Sequence, residues 1–370
     1  MTQNASTPGT HTLAEILSQP QCWTDCLKEM ESGKIIDDIR KRFRDATEWL
    51  FIGCGSSYYI ALSAAASWSA ITGRRARAVA ASELLLYPEL ALAGAKNIAP
   101  VLISRSGRTS EVLRAGELLE GEKNIRTLAV TCSPNQPLEK IASTTLALFS
   151  ADEKSTVMTR SFTSMLMGLQ YAASQLANEP AIANAFQKLP GAAGIVLSDL
   201  RSRIEGFVSA HTFADYICLG QGPLFGVASE STLKLTEMSV SYAQCFHTLE
   251  FRHGPKSIVS PETLVTFLLS ETSYEAECEV LEEIKGLGGT TLVVANRADE
   301  RARKSADLLV ELGLDLPELA RLAPYVFAGQ LTGLYTGLKK GLDPDNPKNL
   351  SRVVILDEER SPEKPEHAAL

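Results

Sequence analysis

Two short turns and one helical stretch hold the residues that could do chemistry. The first turn is Gly53-Cys54-Gly55-Ser56-Ser57, between an apolar run and a helical one. Its glycines would let the backbone come close to a ligand, and a helix N-terminus offers free amides and the positive end of a dipole. The second is Ser104-Arg105-Ser106-Gly107-Arg108-Thr109-Ser110, directly after the apolar Val101-Leu102-Ile103. Its hydroxyls and glycine make a phosphate cradle. Taken singly, each turn is better explained by helix N-caps, with Ser56, Ser57 and Thr109 satisfying the first amides. The first turn lacks the third glycine of a dinucleotide fingerprint, and no P-loop lysine follows either. Together they point to one phosphate on a small molecule.

The acid-base candidates lie further on. Over residues 226–242, helical spacing puts Ala228, Leu235, Met238 and Tyr242 on one face and Glu230, Lys234, Glu237 and Ser241 on the other. By itself that pattern predicts a solvated face, with Glu230 and Lys234 forming an i,i+4 pair worth about 0.2–0.5 kcal/mol. The stretch that follows, Glu250-Phe251-Arg252-His253-Gly254-Pro255-Lys256, sets a histidine in a Gly-Pro turn. A loop histidine there is suited to shuttling protons. His11 and His367 lie near the chain ends. His211 and His247 have no supporting motif and read as structural.

The elements that must position these residues form a duplication. Gly53 and Gly55 recur as Gly220 and Gly222, and Glu83 recurs as Glu250, each 167 positions on. Val101–Ser104 then pairs with Phe267–Ser270, TLAVT (127–131) with TLVVA (291–295), and TLALFSADE (145–153) with DLLVELGLD (307–315). Each copy alternates short apolar strands with helical segments. Near-continuous apolar strands predict burial on both faces, so the expected fold is α/β: two tandem sandwiches, each a mostly parallel sheet flanked by helices. The expected division is a helical lead-in (1–34), a first domain with the phosphate turns (35–190) and a second with the acid-base residues (200–345). A C-terminal segment (346–370) would hold a strand-like VVILDE and a disordered, Pro-rich tail.

Composition narrows the classes. The 370 residues are 45% hydrophobic and 22% charged, which excludes collagenous and wholly disordered chains. A net charge of −8 without a basic tract argues against a nucleic-acid partner. The most apolar helical stretch, Ala61 to Ile71, is too short to span a bilayer. Seven scattered cysteines read as reduced thiols, because Cys22 and Cys26 have no second pair to complete a zinc site. With no basic, apolar leader at its start, the protein is expected in the cytoplasm.

In the order GCGSSY, ASEL, SRSGRTSE, TRSFTSM, ESTLKLTE, EFRHGPKS, DPDNPKNL, the chain resembles the isomerase half of glucosamine-6-phosphate synthase, a pair of sugar isomerase (SIS) domains. The lead-in HTLAEILSQPQCWTDCL and the string FRHGPKSIVSPETLV are closer to the tagatose-6-phosphate ketose/aldose isomerase-like proteins. That resemblance implies a flavodoxin-like sandwich and an enzyme acting on a hexose or hexosamine 6-phosphate, glucosamine- or galactosamine-6-phosphate among them. Gly55, Ser56, Ser57, Ser104, Arg105, Ser106 and Thr109 would hold the phosphate, with Arg105 at a position that is Gln in the synthase. Glu237 would move the proton between C1 and C2, supported by Lys234. His253 would open the sugar ring, reaching into a neighbouring subunit's site, which implies a homodimer. Arg352 stands at the synthase's C-terminal lysine. No metal or other cofactor is implied, since one positioned carboxylate suffices for the proton transfer. Two other readings share the scaffold: a fructosamine-6-phosphate deglycase and a sugar-phosphate-binding regulator.

Overall fold

In the computed structural model, described here for residues 7–356, the lead-in forms three helices: α1 (Thr10–Leu17), α2 (Gln19–Ser32) and α3 (Ile35–Arg42). The first sheet then takes shape through β1 (Glu48–Gly53), α4 (Ser56–Thr72), β2 (Arg75–Ala80), α5 (Ala81–Leu86), α6 (Pro88–Ala91), β3 (Ile98–Ile103), α7 (Ser110–Glu117), β4 (Leu128–Thr131), α8 (Pro137–Ile141) and β5 (Thr144–Ala147). Helices α9 (Arg160–Ala177) and α10 (Pro180–Ala210) lead to the second sheet. That sheet uses β6 (Asp215–Gly220), α11 (Leu224–Ser239), β7 (Tyr242–His247), β8 (Thr263–Leu268), α12 (Tyr274–Gly286), β9 (Thr290–Ala295), α13 (Glu300–Ser305) and β10 (Leu308–Glu311), and α14 (Val326–Lys339) is the last helix among the described residues.

The two sheets have the same topology. One runs β2-β1-β3-β4-β5 and the other β7-β6-β8-β9-β10, every pairing parallel. This is a doubly wound order, in which ligands bind beyond the carboxyl ends of the strands where the order reverses. Strands β1 and β8 are buried along their whole length, as their mainly apolar sequences predict, with the polar Glu48, Thr263 and Thr266 buried among them. The gap between the two expected domains, 191–199, lies inside the long helix α10.

The copies meet through α4 and α11, which cross in opposite senses. Ser63 of α4 donates to the Pro223 carbonyl at the start of α11, at 2.7 Å. Ser56 at the start of α4 donates to Glu230 inside α11, at 3.1 Å. These two contacts map onto one another at the repeat spacing, so a pseudo-twofold axis runs between the helices. Gly226 sits beside that axis, where any side chain would collide with Ser63 and the Tyr59 carbonyl. On its other side α11 is pressed against α14, whose Gly329, Gly333 and Gly337 face Ser231, Lys234 and Met238 with no room for a Cβ. Helix α11 is therefore enclosed on both flanks.

Three sequence expectations give way here. Helix α11 ends at Ser239 and is capped by Val240 in the left-handed conformation, so Ser241 and Tyr242 lie beyond it and Tyr242 opens β7 exposed. The face carrying Glu230 and Lys234 is not solvated: both side chains are fully buried. Residues 353–356 form no strand, and the rest of VVILDE together with the Pro-rich tail lies outside the described residues.

Candidate active site

Strands β1 and β3 end at the switch point of the first sheet, and both candidate turns follow them. Gly55 holds φ +53°, a left-handed conformation suited to glycine, and brings Ser56 and Ser57 to the first turn of α4. After β3, Gly107 takes φ +62° against Gln136, and Ser104 and Thr109 share a hydroxyl-hydroxyl hydrogen bond of 3.0 Å. Neither α4 nor α7 has a side-chain cap. The N-cap explanation of these hydroxyls therefore fails. Ser56 donates instead to Glu230, while Ser57 and the hydrogen-bonded pair Ser104–Thr109 face the end of the sheet, where amides and dipoles favour an anion.

Arg105 does not join them. Its guanidinium is buried and committed to Glu153 at 3.4 Å, to the carbonyls of Val157 and Thr156, and to the Arg352 carbonyl at 2.9 Å. It ties the loop after β5 and the C-terminal segment to the phosphate turn. Arg352 itself pairs with Asp152 at 2.7 Å, half exposed. The same segment crosses the start of α7: the Val354 carbonyl accepts from the Ser110 amide at 3.3 Å, and the Leu356 amide donates to Ser110 Oγ at 3.0 Å.

The second copy supplies the charged half. Lys234 Nζ lies 3.2 Å from Glu230 Oε1 and 2.5 Å from Glu237 Oε2, and donates to Ser56 Oγ at 3.4 Å. Ser56 passes its own proton on to Glu230. One serine of the first phosphate turn is thus wired to the ion cluster of α11, a link that the two stretches considered separately did not reveal. Glu237 keeps 17% of its side chain exposed, whereas Glu230 and Lys234 have none. Burial, reinforced by the charge of Glu237, pushes Glu230 up to about 7 against the opposing pull of Lys234. Burial also draws the lysine's pKa down, but its two carboxylates outweigh that and hold it above the ordinary value. A buried cation between two carboxylates, one of them still reaching solvent, can hold a proton acceptor in place. Tyr59, one turn into α4, is pushed up by burial and by the nearby Glu230.

His253 is elsewhere. It follows the short helical turn Glu250–Arg252 after β7, exposed, at the carboxyl end of the second sheet. Because α4 and α11 cross in opposite senses, that end points away from the phosphate turns. The structure brings Ser56, Glu230, Lys234 and Glu237 together and leaves His253 apart from them within one chain. His211 and His247 are packed on aromatic rings, His247 on Phe225 with centroids 3.8 Å apart.

This frame has relatives. Residues 42–175 match the SIS domain, and the second sheet repeats the strand order of the sheet in that stretch. The isomerizing glutamine–fructose-6-phosphate aminotransferases of Wigglesworthia glossinidia brevipalpis and Clostridium perfringens are 24% and 27% identical over 93% of this chain. The chain spans only 58% and 59% of the length of those two proteins. Among solved structures, glucosamine-6-phosphate deaminase from Thermotoga maritima is 28% identical at a TM-score of 0.77, covering 94% of this chain and 100% of its own. Tagatose-6-phosphate ketose/aldose isomerase from Escherichia coli shares the fold, at 22% identity, a TM-score of 0.79 and coverage of 96% and 100%. No helix among the described residues is long and apolar enough to cross a membrane.

Proposed function

We propose that this chain is a phosphosugar isomerase/deaminase whose substrate is a hexosamine 6-phosphate. The observation that carries the reading is the meeting of two half-sites: the uncapped hydroxyl turns of the first copy and the Glu230–Lys234–Glu237 cluster of the second, linked through Ser56. The deaminase of Thermotoga maritima, which matches nearly the whole chain, supports the same chemistry.

Phosphate held by Ser57, Ser104, Ser106 and Thr109 would lay the sugar along α11. His253 of a second copy opens the pyranose ring, which makes the working unit a homodimer. Glu237 then removes the C2 proton of the open-chain aldose, giving an enolamine that takes a proton at C1. Water adds to the resulting C2 ketimine, and ammonia leaves with a ketose 6-phosphate remaining. Lys234 holds Glu237 in position throughout. A substrate with a C2 hydroxyl passes through the enediol instead and ends at the ketose with no ammonia released.

The test is incubation with glucosamine 6-phosphate, galactosamine 6-phosphate, fructosamine 6-phosphate and their unphosphorylated counterparts, assaying ammonia and ketose together. Equimolar ammonia and ketose phosphate from one hexosamine 6-phosphate is the expected result. Binding without turnover of any of them would make the protein a sugar-phosphate sensor. Mixing Glu237→Gln and His253→Ala proteins under subunit exchange should restore part of the activity. A fully active monomer would remove the second copy from the mechanism.

A further inference from the structure

Each sheet has an ion pair in the same place. In the first copy it joins Arg105 on the turn after β3 to Glu153 on the loop after β5, 3.4 Å apart, with side chains 5% and 0% exposed. In the second it joins Glu271 on the turn after β8 to a buried Arg321 on the loop after β10, so the charges are exchanged. Buried ion pairs add little net stability over apolar packing, and their best-attested use is to fix one arrangement of the chain. Meeting the device twice in opposite polarity makes the arrangement, not either charge, the common element.

What the pair arranges differs between the copies. In the second, the loop closes on its own turn: the Glu318 carboxylate accepts from the Glu271 amide at 2.6 Å and from Thr272 Oγ1 at 3.1 Å. At the repeat spacing the counterparts of those donors are the Arg105 amide and Ser106 Oγ, and the counterpart of Glu318 is Thr156. Thr156 brings no carboxylate, and its carbonyl is taken by the Arg105 guanidinium at 3.0 Å. Glu153 holds that guanidinium and is itself fixed by the amide and hydroxyl of Thr159, at 2.6 and 2.7 Å, and by Ser161. The Arg105 amide and the Ser106 hydroxyl find no acceptor among the described residues. The first turn is left open where the second is filled from within.

We infer that Glu153 is a positioning residue for the phosphosugar reaction: through Arg105 it clasps the 153–157 loop to the side of the turn, so that the turn's donors stay open for the substrate's phosphate. The inference rests on the proposed sugar-phosphate reading, and Glu153 itself touches no substrate. Losing the clasp frees the loop and the turn to shift against one another, which weakens the hold on the phosphate. The proton transfer at Glu237, on another helix, is untouched. The effect therefore falls on KM and spares kcat.

The experiment compares the full chain with Glu153→Gln, Arg105→Lys and the double variant in three measurements: calorimetric binding of inorganic phosphate, steady-state kinetics on the hexosamine 6-phosphates, and urea melts. Glutamine keeps the size of Glu153 but not its charge, and lysine keeps the charge of Arg105 but not the fork that reaches the carbonyls of Thr156, Val157 and Arg352. Each single variant should raise the phosphate dissociation constant and KM about tenfold and leave kcat within about twofold. The double variant should also stay near about tenfold, because two residues acting as one clasp do not add. If Glu153→Gln fails to fold, Arg105→Lys carries the same comparison alone. Unchanged constants beside a lowered urea midpoint would make the pair structural only. A fall in kcat, or an effect of about a hundredfold in the double variant, would equally overturn the proposal. If the wild type binds inorganic phosphate but turns over no sugar, the hexosamine reading fails and the phosphate constants alone decide the clasp. A wild type that binds no phosphate at all would overturn both.

Discussion

Glu230→Gln should change how the protein's stability depends on pH. The side chain is fully buried, accepts from Ser56 at 3.1 Å and lies 3.2 Å from Lys234. Its carboxyl is raised from 4.5 to about 7, first by burial and then by Glu237. A raised carboxyl favours the folded state while protonated. That contribution is complete below pH 4.5, where folded and unfolded chains both hold the proton, and is lost as pH climbs through about 7. Between pH 5 and 8 the wild type should lose about 2–3 kcal/mol from this group alone. Glutamine keeps the size and the acceptor for Ser56 but cannot ionise. Urea denaturation of both proteins at intervals across that window isolates the effect. Glu277 is also pushed up to about 7 by burial, but it is present in both proteins and cancels from the difference. The variant's curve should be the flatter by about 2–3 kcal/mol, with the gap opening towards alkaline pH. Curves that stay parallel would mean that Glu230 is ionised throughout, fully held by Lys234, and that burial does not dominate it.

Other outcomes test the site and its frame. Glu237→Gln should cost roughly 10²–10⁴-fold in turnover with little change in sugar-phosphate binding, and should abolish the deuterium wash-in from heavy water into C1 or C2 that the wild type shows. Ser106→Ala or Thr109→Ala should raise the Michaelis constant for the phosphorylated sugar, each lost bond to a charged group being worth about 1.5–3 kcal/mol; an unchanged constant would place the phosphate elsewhere. Gly226→Ala puts a methyl where Ser63 and the Tyr59 carbonyl already stand, and should lower stability by about 1–3 kcal/mol in a thermal or urea melt.

The repeat was readable because strand, glycine turn and helix leave local marks. Gly53–Gly55 and Gly220–Gly222 flagged the same turn twice, and the left-handed Gly55 and Gly222 share φ +53°. The hydroxyl turns were likewise local. The fate of Glu230 and Lys234 was not, because a polar helix face looks the same whether it meets water or another domain. The available signal was Gly226 together with glycine at every fourth residue of α14, which mark two close approaches to one helix. Arg105 misled for a similar reason. Its place in the turn suggested a ligand contact, but its partners Glu153 and the Arg352 carbonyl lie 48 and 247 residues away.

The pseudo-twofold axis between α4 and α11 has a consequence for how labour is divided. Symmetry alone would offer two equivalent clefts, one above each sheet, each needing a hydroxyl turn from one copy and a charged helix from the other. Only one of them is furnished. Where the second copy has Glu230, Lys234 and Glu237, the first has Ser63, Ser67 and Ala70 at the repeat spacing. Where the first has Ser56 and Ser57, the second has Pro223 and Leu224. On the proposed reading, each copy supplies to that cleft groups that its sister lacks at the matching positions of these two helices. The two halves of the chain are bound to each other by what each one lacks.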